Sequence, residues 1–400
     1  MNKKRPDMAQ ATAPAKPLFA FIDCVRGYAV LLVITCHLTG AYPEMPWPVR
    51  RFTALGWHGV QLFFLASAVT LLMSWHHERA RRGQADARAF FIRRLLRIAP
   101  AYYVAALLYT IAWPPEQSSV LTLFTTLAFV NMWHPATAGT VPSSWAVVPG
   151  GWSVAVEFTF YFLFPLLAGL IRTPARALAF LALTIALAMI ANPVARALME
   201  GQYPPVAIQN FLYFWPPNQM PVFALGILLY FLVDDLMGAD RYGLRRILSG
   251  HGLLFAGLAV FLFASVTFLP LPHSITPFDP LPPAFLLASL TFMLFILALA
   301  AAPHCLAVNR WAQAMGKVSF SAYLVHFAVL RLLPDQFPNA FHTAATGYAA
   351  IGFYAVAWIV VVGVTFAVSW CTYHAIELPM MRRARDLTVG RVPIGLASNS

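Results

Sequence analysis

The stretch FAFIDCVRGYAVLLVITCHLTG, from Phe19 to Gly40, has the length of a membrane-spanning helix and is almost wholly apolar. It nevertheless contains three ionisable residues, Asp23, Arg26 and His37. On a helix that turns by about 100° per residue, Arg26 and His37 are about three turns apart and project from nearly the same side. Asp23 lies roughly 60° from Arg26 around the same helix. The first apolar segment therefore carries a narrow polar stripe.

Two interpretations of this stripe are open. A charge within a bilayer costs at least about 2.5–3.5 kcal/mol, so these side chains are expected to face other helices or a hydrated cavity, and a functional site is the first interpretation. In that case His37 can act as a general base, because an imidazole accepts a proton near neutral pH. In the second interpretation, Asp23 and Arg26 form a buried structural salt bridge, and His37 merely lies near the outer membrane interface.

The composition predicts an all-α polytopic membrane protein. Of the 400 residues, 60% are hydrophobic and only 10% are charged, whereas soluble proteins have about 25% charged residues. The net charge of +12 does not indicate nucleic-acid binding, because no soluble basic domain is present, and no nucleic-acid partner is expected. The four cysteines and the histidines lack the spacing of a metal site, so no metal is expected.

The apolar segments predict about ten transmembrane helices. The run 120–133 is too short to cross a membrane easily and is expected to be re-entrant or interfacial. The predicted spans are 19–41, 54–75, 99–113, 152–171, 177–192, 220–234, 251–269, 282–302, 318–333 and 347–371. The predicted domains are a mobile basic cytoplasmic tail (1–17), the membrane domain (18–385) and a cytoplasmic C-terminal tail (386–400).

The distribution of basic residues predicts that both termini are cytoplasmic. With this topology, only four of the 27 Lys and Arg residues fall on the outer side, and the loop 76–97 is the most basic inner segment. A multi-pass protein of a bacterial inner membrane is therefore expected. The four outer residues are Arg50, Arg51, Arg196 and Arg331.

The stretch FFIRRLLRIAPAYY (90–103) is a candidate phosphate-binding site. Arg94 and Arg97 are three residues apart on a predicted helix, and Arg93 is adjacent to Arg94. Guanidinium groups bind phosphate with planar, multi-donor geometry, so a cytosolic phosphorylated donor is the expected ligand. The alternative is that these residues only flank a span, as basic residues commonly do on the cytoplasmic side.

The stretch GWSVAVEFTFYFLFP (151–165) places Glu157 inside the predicted fourth span, with Trp152 at its start. A carboxylate in this position is a candidate partner for His37, because it can orient the imidazole or stabilise its protonated form. In the alternative interpretation, a protonated Glu157 forms a hydrogen bond between packed helices.

The stretch GKVSFSAYLVHFAVL (316–330) contains four polar residues at the start of the predicted ninth span. They are expected to line the cytosolic half of a channel, although serines also join helices through hydrogen bonds. These residues are Ser319, Ser321, Tyr323 and His326.

Seven stretches together resemble integral-membrane acyltransferase family three, the O-acyltransferases of bacterial glycans and related small molecules. They occur in family order over nearly the whole chain, and this order and spacing make the resemblance specific. The stretches are IDCVRGYAVLLVITCH, GVQLFFLASAVTL, FFIRRLLRIAPAYY, GWSVAVEFTFYFLFP, PVFALGILLY, GKVSFSAYLVHF and the terminal IELP.

The resemblance implies a ten-helix enzyme that takes an acyl group, most simply acetyl, from cytosolic acyl-CoA and delivers it to an acceptor hydroxyl near the outer face. Acyl-CoA is then a co-substrate, and no bound cofactor is implied. Asp23 shares the stripe of the implied catalytic pair and joins the catalytic candidates. The implied matches are Arg26 and His37 for the catalytic pair, Arg94 and Arg97 for acyl-CoA binding, and Trp152 and Glu157 for the fourth-span motif.

The expected acceptor is a glycan, a lipopolysaccharide or exopolysaccharide unit, or a glycolipid precursor, and membrane lipid surrounds the protein. Some family members carry a fused extracytoplasmic esterase-like domain. This sequence ends soon after the tenth span, so any further transfer step is expected to need an extracytoplasmic partner enzyme. The rival hypothesis is a transporter or flippase of a small molecule or lipid-linked sugar, because polar residues inside a helix bundle also suit a permeation path.

Overall fold

The computed structural model describes residues 17–116, 118–139, 146–238, 240–266, 268–279, 281–303 and 306–388. Nearly all of the predicted N-terminal tail and residues 389–400 of the predicted C-terminal tail lie outside these ranges. The described residues form helices and connecting turns and contain no strand. The helices are α1 (Pro17–Thr39), α2 (Trp47–Ala54), α3 (Gly59–Arg82), α4 (Ala87–Ala112), α5 (Val120–Leu127), α6 (Gly151–Leu170), α7 (Pro174–Met199), α8 (Pro205–Phe214), α9 (Pro216–Met237), α10 (Leu244–Ser249), α11 (Gly252–Val266), α12 (Ala284–Ala301), α13 (Arg310–Lys317), α14 (Ser319–Gln336), α15 (Pro338–Phe341), α16 (Gly347–Thr372) and α17 (Leu378–Thr388). Short 3₁₀ turns lie at Leu55–His58, Asn131–Trp133 and Pro135–Thr137, and a π-helical turn at Tyr373–Glu377 joins α16 to α17.

Eight helical segments in the described part of the chain are long and apolar enough to cross a membrane, which confirms the all-α polytopic membrane fold. They coincide with eight of the ten predicted spans. The segments are Ala20–Thr39, Trp47–Arg82, Ala87–Ala112, Gly151–Leu170, Pro174–Met199, Pro205–Met237, Ala284–Ala301 and Gly347–Thr388.

The other two predicted spans also coincide with helices, but these helices differ from simple spans. Helix α11 has only 15 residues, or about 22 Å of helix, which is less than the roughly 30 Å of a hydrocarbon core. Helix α14 follows α13 with a bend of 80°, so this pair is a broken span or a re-entrant loop. Helix α5 has eight residues, about 12 Å long, which is too short for a crossing, as the sequence predicted for 120–133.

Helix α1 lies at the centre of the bundle and packs against α3, α13, α14 and α16. Glycines allow the closest of these approaches. A Cβ atom at Gly316 would meet the backbone carbonyl of Asp23, and a Cβ atom at Gly27 would meet that of Ala312. Helix α13 is thereby fixed across the first turns of α1, beside the polar stripe.

We expect Gly316→Ala to destabilise the fold by about 1–3 kcal/mol, because the added methyl group forces α13 away from α1. Thermal unfolding of the detergent-solubilised protein measures this loss. The matched control is Gly352→Ala in α16, where an added Cβ atom has no neighbour within 4 Å. Equal melting temperatures for the two variants would contradict the close packing of α1 and α13.

Stacked aromatic rings join α3, α6 and α9. The Phe223 ring of α9 stacks on Phe64 of α3 and on Phe160 of α6, with centroid distances of 4.6 and 4.2 Å. All three side chains are fully buried or nearly so. Large buried rings contribute much of the packing energy of a core, so this stack fixes the face of α6 that carries Glu157 against α3.

Candidate active site

Polar residues from five helices surround a cavity inside the bundle, which we call the basic cavity. It encloses about 670 Å³ of space not filled by atoms, part of it open to the surroundings. Its polar wall combines residues that are far apart in the sequence, so the fold has assembled one site from separate stretches. This wall contains Arg26 of α1, Ser67 of α3, Arg94 and Arg97 of α4, Ser153, Glu157 and Tyr161 of α6, and Ser319 and Tyr323 of α14.

Glu157 accepts two hydrogen bonds within the basic cavity. The Ser67 hydroxyl donates to its Oε1 at 2.6 Å, and the Tyr161 hydroxyl donates to the same oxygen at 2.5 Å. Glu157 is therefore anchored to α3 and to its own helix and does not contact His37, so its predicted pairing with His37 is wrong.

Three guanidinium groups face the basic cavity without a carboxylate partner. The Nη2 atom of Arg26 donates to the Thr70 hydroxyl at 2.9 Å. The Arg94 guanidinium lies 5.7 Å from the centre of the Phe90 ring, and its buried Nε atom has no hydrogen-bond partner. Among the described residues, the ion pairs within 4.0 Å are those of Glu78 with Arg82 and Arg93. The guanidinium groups of Arg26, Arg94 and Arg97 are therefore not neutralised by direct contact with a carboxylate.

Arg93 and Asp23, two of the charged residues predicted for the site, lie outside the wall of the basic cavity. Arg93, predicted to bind acyl-CoA, donates to Glu78 at 2.6 Å and is occupied by that ion pair. Asp23 is half-buried where α1 crosses α13, within electrostatic range of Arg26 and Arg97 but not in ion-pair contact with either. The structural salt bridge between Asp23 and Arg26, considered above as the alternative to a functional site, is therefore wrong.

His37 lies in a second cavity at the opposite end of α1, which we call the aromatic cavity. It encloses about 660 Å³, part of it open, and its wall includes Trp57, Trp152, Phe214 and Phe327. Eleven residues of α-helix place His37 about 16 Å from Arg26 along the axis. The two members of the predicted catalytic pair therefore line different cavities.

A second imidazole lies beside His37. The rings of His37 and His326 are 5.4 Å apart between centroids, and Phe327 lies 4.6 Å from His37. His326 is fully buried, with Nδ1 3.2 Å from the Ala322 carbonyl oxygen and Nε2 without a hydrogen-bond partner. Its predicted place in the cytosolic half of a channel is wrong, because seven residues of helix carry it about 10 Å beyond Ser319, to the level of His37.

Tyr323 and Val60 belong to the walls of both cavities, so the two cavities adjoin at these residues. The Tyr323 hydroxyl donates to the Gly150 carbonyl at 2.9 Å and lies 2.9 Å from the Ser153 hydroxyl. Gly150 has φ of 74°, in the left-handed region that favours glycine, and a Cβ atom there would press on Tyr323 and Phe327. Backbone geometry before α6 thus holds Tyr323 in place where the two cavities adjoin.

The four predicted polar residues of α14 therefore separate into different environments. Ser319 and Tyr323 line the basic cavity. Ser321 is fully buried and bonds Glu377 through its amide and its hydroxyl, so it is not part of the cavity wall. The sequence analysis assigned no role to Ser67, Ser153 or Tyr161. The sequence offered one indication of their place in the site. Ser67 lies in one of the stretches that carry the family resemblance, and Ser153 and Tyr161 lie in the stretch that contains Glu157.

Comparison with known proteins identifies the class of chemistry. A family described as an acyltransferase domain matches residues 19–374, which include both cavities. The chain belongs to this acyltransferase family. It is also 29% identical to the acyltransferase MdmB of Streptomyces mycarofaciens over 364 residues, which cover 83% of this chain and 86% of the relative. No solved structure matches the chain significantly. The basic and aromatic cavities are thus the polar and aromatic interior of a membrane-embedded acyltransferase.

Proposed function

We propose that this acyltransferase moves an acyl group, most simply acetyl, from cytosolic acyl-CoA to a hydroxyl of a glycan, lipopolysaccharide, exopolysaccharide or glycolipid precursor in a bacterial inner membrane. The observation that supports the donor is the set of three guanidinium groups without carboxylate partners in the basic cavity. Unpaired buried charges are costly, so such a site is suited to a polyanion such as the phosphates of CoA.

In this proposal, Arg94 and Arg97 bind the CoA phosphates at the end of the bundle that carries the basic loop between α3 and α4. The pantetheine arm extends along α1 towards Tyr323, which suits the separation of about 16 Å between Arg26 and His37. A short donor could not span both sites, whereas a long flexible thioester can. Arg26 and the hydroxyl groups around Glu157 contact the arm on its way to Tyr323, where the two cavities adjoin.

His37 is the proposed base. It accepts the proton of the acceptor hydroxyl, the oxygen attacks the thioester carbonyl carbon, and the C–S bond breaks once the tetrahedral intermediate collapses. The thiolate of CoA takes the proton from His37 and leaves as free CoA thiol, so the products are an ester and CoA, and the imidazole is neutral again. The other route open to the same residues passes the acyl group through an acyl-histidine at His37.

The arginines give a matched test of the donor site. We expect Arg94→Ala and Arg97→Ala, singly, to raise the KM for acetyl-CoA about tenfold or more, because each removes a charged donor from the basic cavity. Arg93→Ala is the control, since Arg93 is the adjacent arginine but binds Glu78 outside the cavity. The measurement is release of CoA thiol by membranes that contain equal amounts of each variant.

A change of similar size in Arg93→Ala would show that the loss reflects general basic charge rather than a site. A transporter or flippase would move its substrate without acyl-CoA, and absence of CoA release in the presence of acceptor would contradict the proposal. Transfer of label from radioactive acetyl-CoA to membrane glycans completes the measurement, because an ester product requires the acyl group itself to move.

A further inference from the structure

One turn of α14 carries two of the three aromatic side chains that pack against the His37 ring. The His326 ring lies 5.4 Å from His37 between centroids, and the Phe327 ring lies 4.6 Å from it. The third ring is that of Trp57, at 6.4 Å. No described residue forms a hydrogen bond with the ring nitrogens of His37, so its direction depends on packing against these rings.

The Tyr109 hydroxyl of α4 bonds both ends of this turn of α14. It donates to the Leu324 carbonyl oxygen at 2.7 Å and accepts from the Ala328 amide at 2.9 Å. A regular α-helix pairs these two backbone groups with each other, because they are four residues apart. At about 100° per residue, His326 projects from the face of α14 opposite to Leu324 and Ala328. The turn is therefore held by Tyr109 on one side and presents His326 and Phe327 on the other.

We propose that Tyr109 is a positioning residue for acyl transfer, which fixes one turn of α14 and thereby directs the His37 imidazole at the acceptor hydroxyl. This inference rests on the proposed function, in which His37 is the base. Tyr109 is buried and belongs to the wall of neither cavity, so it acts through α14 and not by contact with a substrate. A side chain inserted into the hydrogen-bond ladder of a helix changes the local course of that helix.

Matched tyrosines of α4 test the proposal. Tyr109→Phe removes the hydroxyl and keeps the ring, and the Leu324 carbonyl and Ala328 amide then bond to each other, so the melting temperature should change little. We expect kcat to fall about tenfold with an unchanged KM for acetyl-CoA, because a small displacement of a catalytic group lowers the rate steeply. The control is Tyr103→Phe, since the Tyr103 hydroxyl donates to the Leu127 carbonyl at 2.8 Å, away from α14. This control should keep the wild-type kcat.

A double-mutant cycle with His37→Ala distinguishes positioning from a general structural role. If Tyr109 acts through His37, Tyr109→Phe should not lower the residual rate of His37→Ala any further, whereas the effects of independent residues multiply. Multiplied losses, a normal kcat in Tyr109→Phe, or a large fall in its melting temperature would each contradict the proposal.

Histidine-labelled protein in nanodiscs provides a readout that does not depend on turnover. The His37 ring signal is identified by its absence from His37→Ala, and it is sensitive to the Phe327 ring 4.6 Å away. Tyr109→Phe should shift this signal and Tyr103→Phe should not, and an unshifted signal in both variants would overturn the positioning role. Full activity of His37→Ala would instead contradict the proposed function, because that variant lacks the base itself.

Discussion

Replacement of His37 by alanine is expected to reduce acyl transfer by about 10²–10⁴-fold, the range that a general base contributes. His37 is half-buried in the wall of the aromatic cavity, and its ring contacts Trp57, His326 and Phe327 rather than a carboxylate. Removal of the imidazole takes away the proposed proton acceptor and leaves the basic cavity intact. Transfer of label from radioactive acetyl-CoA to acceptor should therefore disappear, whereas the Kd for CoA should stay the same.

Companion variants make the His37 result specific. His37→Gln keeps the polarity and part of the volume but has no basic nitrogen, so it should be as inactive as His37→Ala. Glu157→Gln tests the carboxylate that binds Ser67 and Tyr161, and it should act on the donor site, through the KM for acetyl-CoA. Normal transfer by His37→Gln would exclude His37 as base or acyl carrier. Rapid quenching without acceptor distinguishes the two routes, because only an acyl-histidine retains label on the protein.

The sequence predicted the membrane fold well because the information is local. Each predicted span is a continuous apolar run, and such a run has few alternatives to a helix when no water is available for its backbone groups. The same reasoning identified residues 120–133 as too short to cross, and the structure has an eight-residue helix and a 3₁₀ turn there. The bend of 80° between α13 and α14 was not predictable, since it depends on how Gly316 packs against α1.

Prediction of the site was less successful where it required distances between helices. The sequence analysis selected the polar residues that lie inside apolar runs as site candidates, but it assigned their partners by chemical type. Glu157 was paired with His37 because a carboxylate suits an imidazole, whereas the fold places Ser67 and Tyr161 around it. The helical period of α1 places Arg26 and His37 on the same side of the helix. The two residues are nevertheless about 16 Å apart along the helix axis, and they therefore line different cavities.

Replacement of Arg26 by glutamine is expected to reduce kcat/KM for acetyl-CoA by about 10–100-fold. Arg26 projects from α1 into the wall of the basic cavity, which it shares with Glu157, and its guanidinium donates a hydrogen bond to the Thr70 hydroxyl. In the proposed donor path Arg26 contacts the pantetheine arm of acyl-CoA, and loss of a charged hydrogen-bond donor to a bound ligand costs about 1.5–3 kcal/mol, which is roughly 10–150-fold. Steady-state release of CoA thiol measures the effect.

Two further variants decide whether charge or geometry accounts for the loss. Arg26→Lys keeps the charge but loses the planar group with several donors, so it should recover only part of the activity. Thr70→Val removes the hydrogen-bond partner and leaves the guanidinium in the cavity, and it should change kcat/KM by only a few fold. If Arg26→Gln stayed active while Thr70→Val lost activity, the site would depend on the hydroxyl of α3 rather than on the cation of α1. The expected order of activities, with Thr70→Val highest and Arg26→Gln lowest, follows only if the positive charge itself acts on the acyl donor.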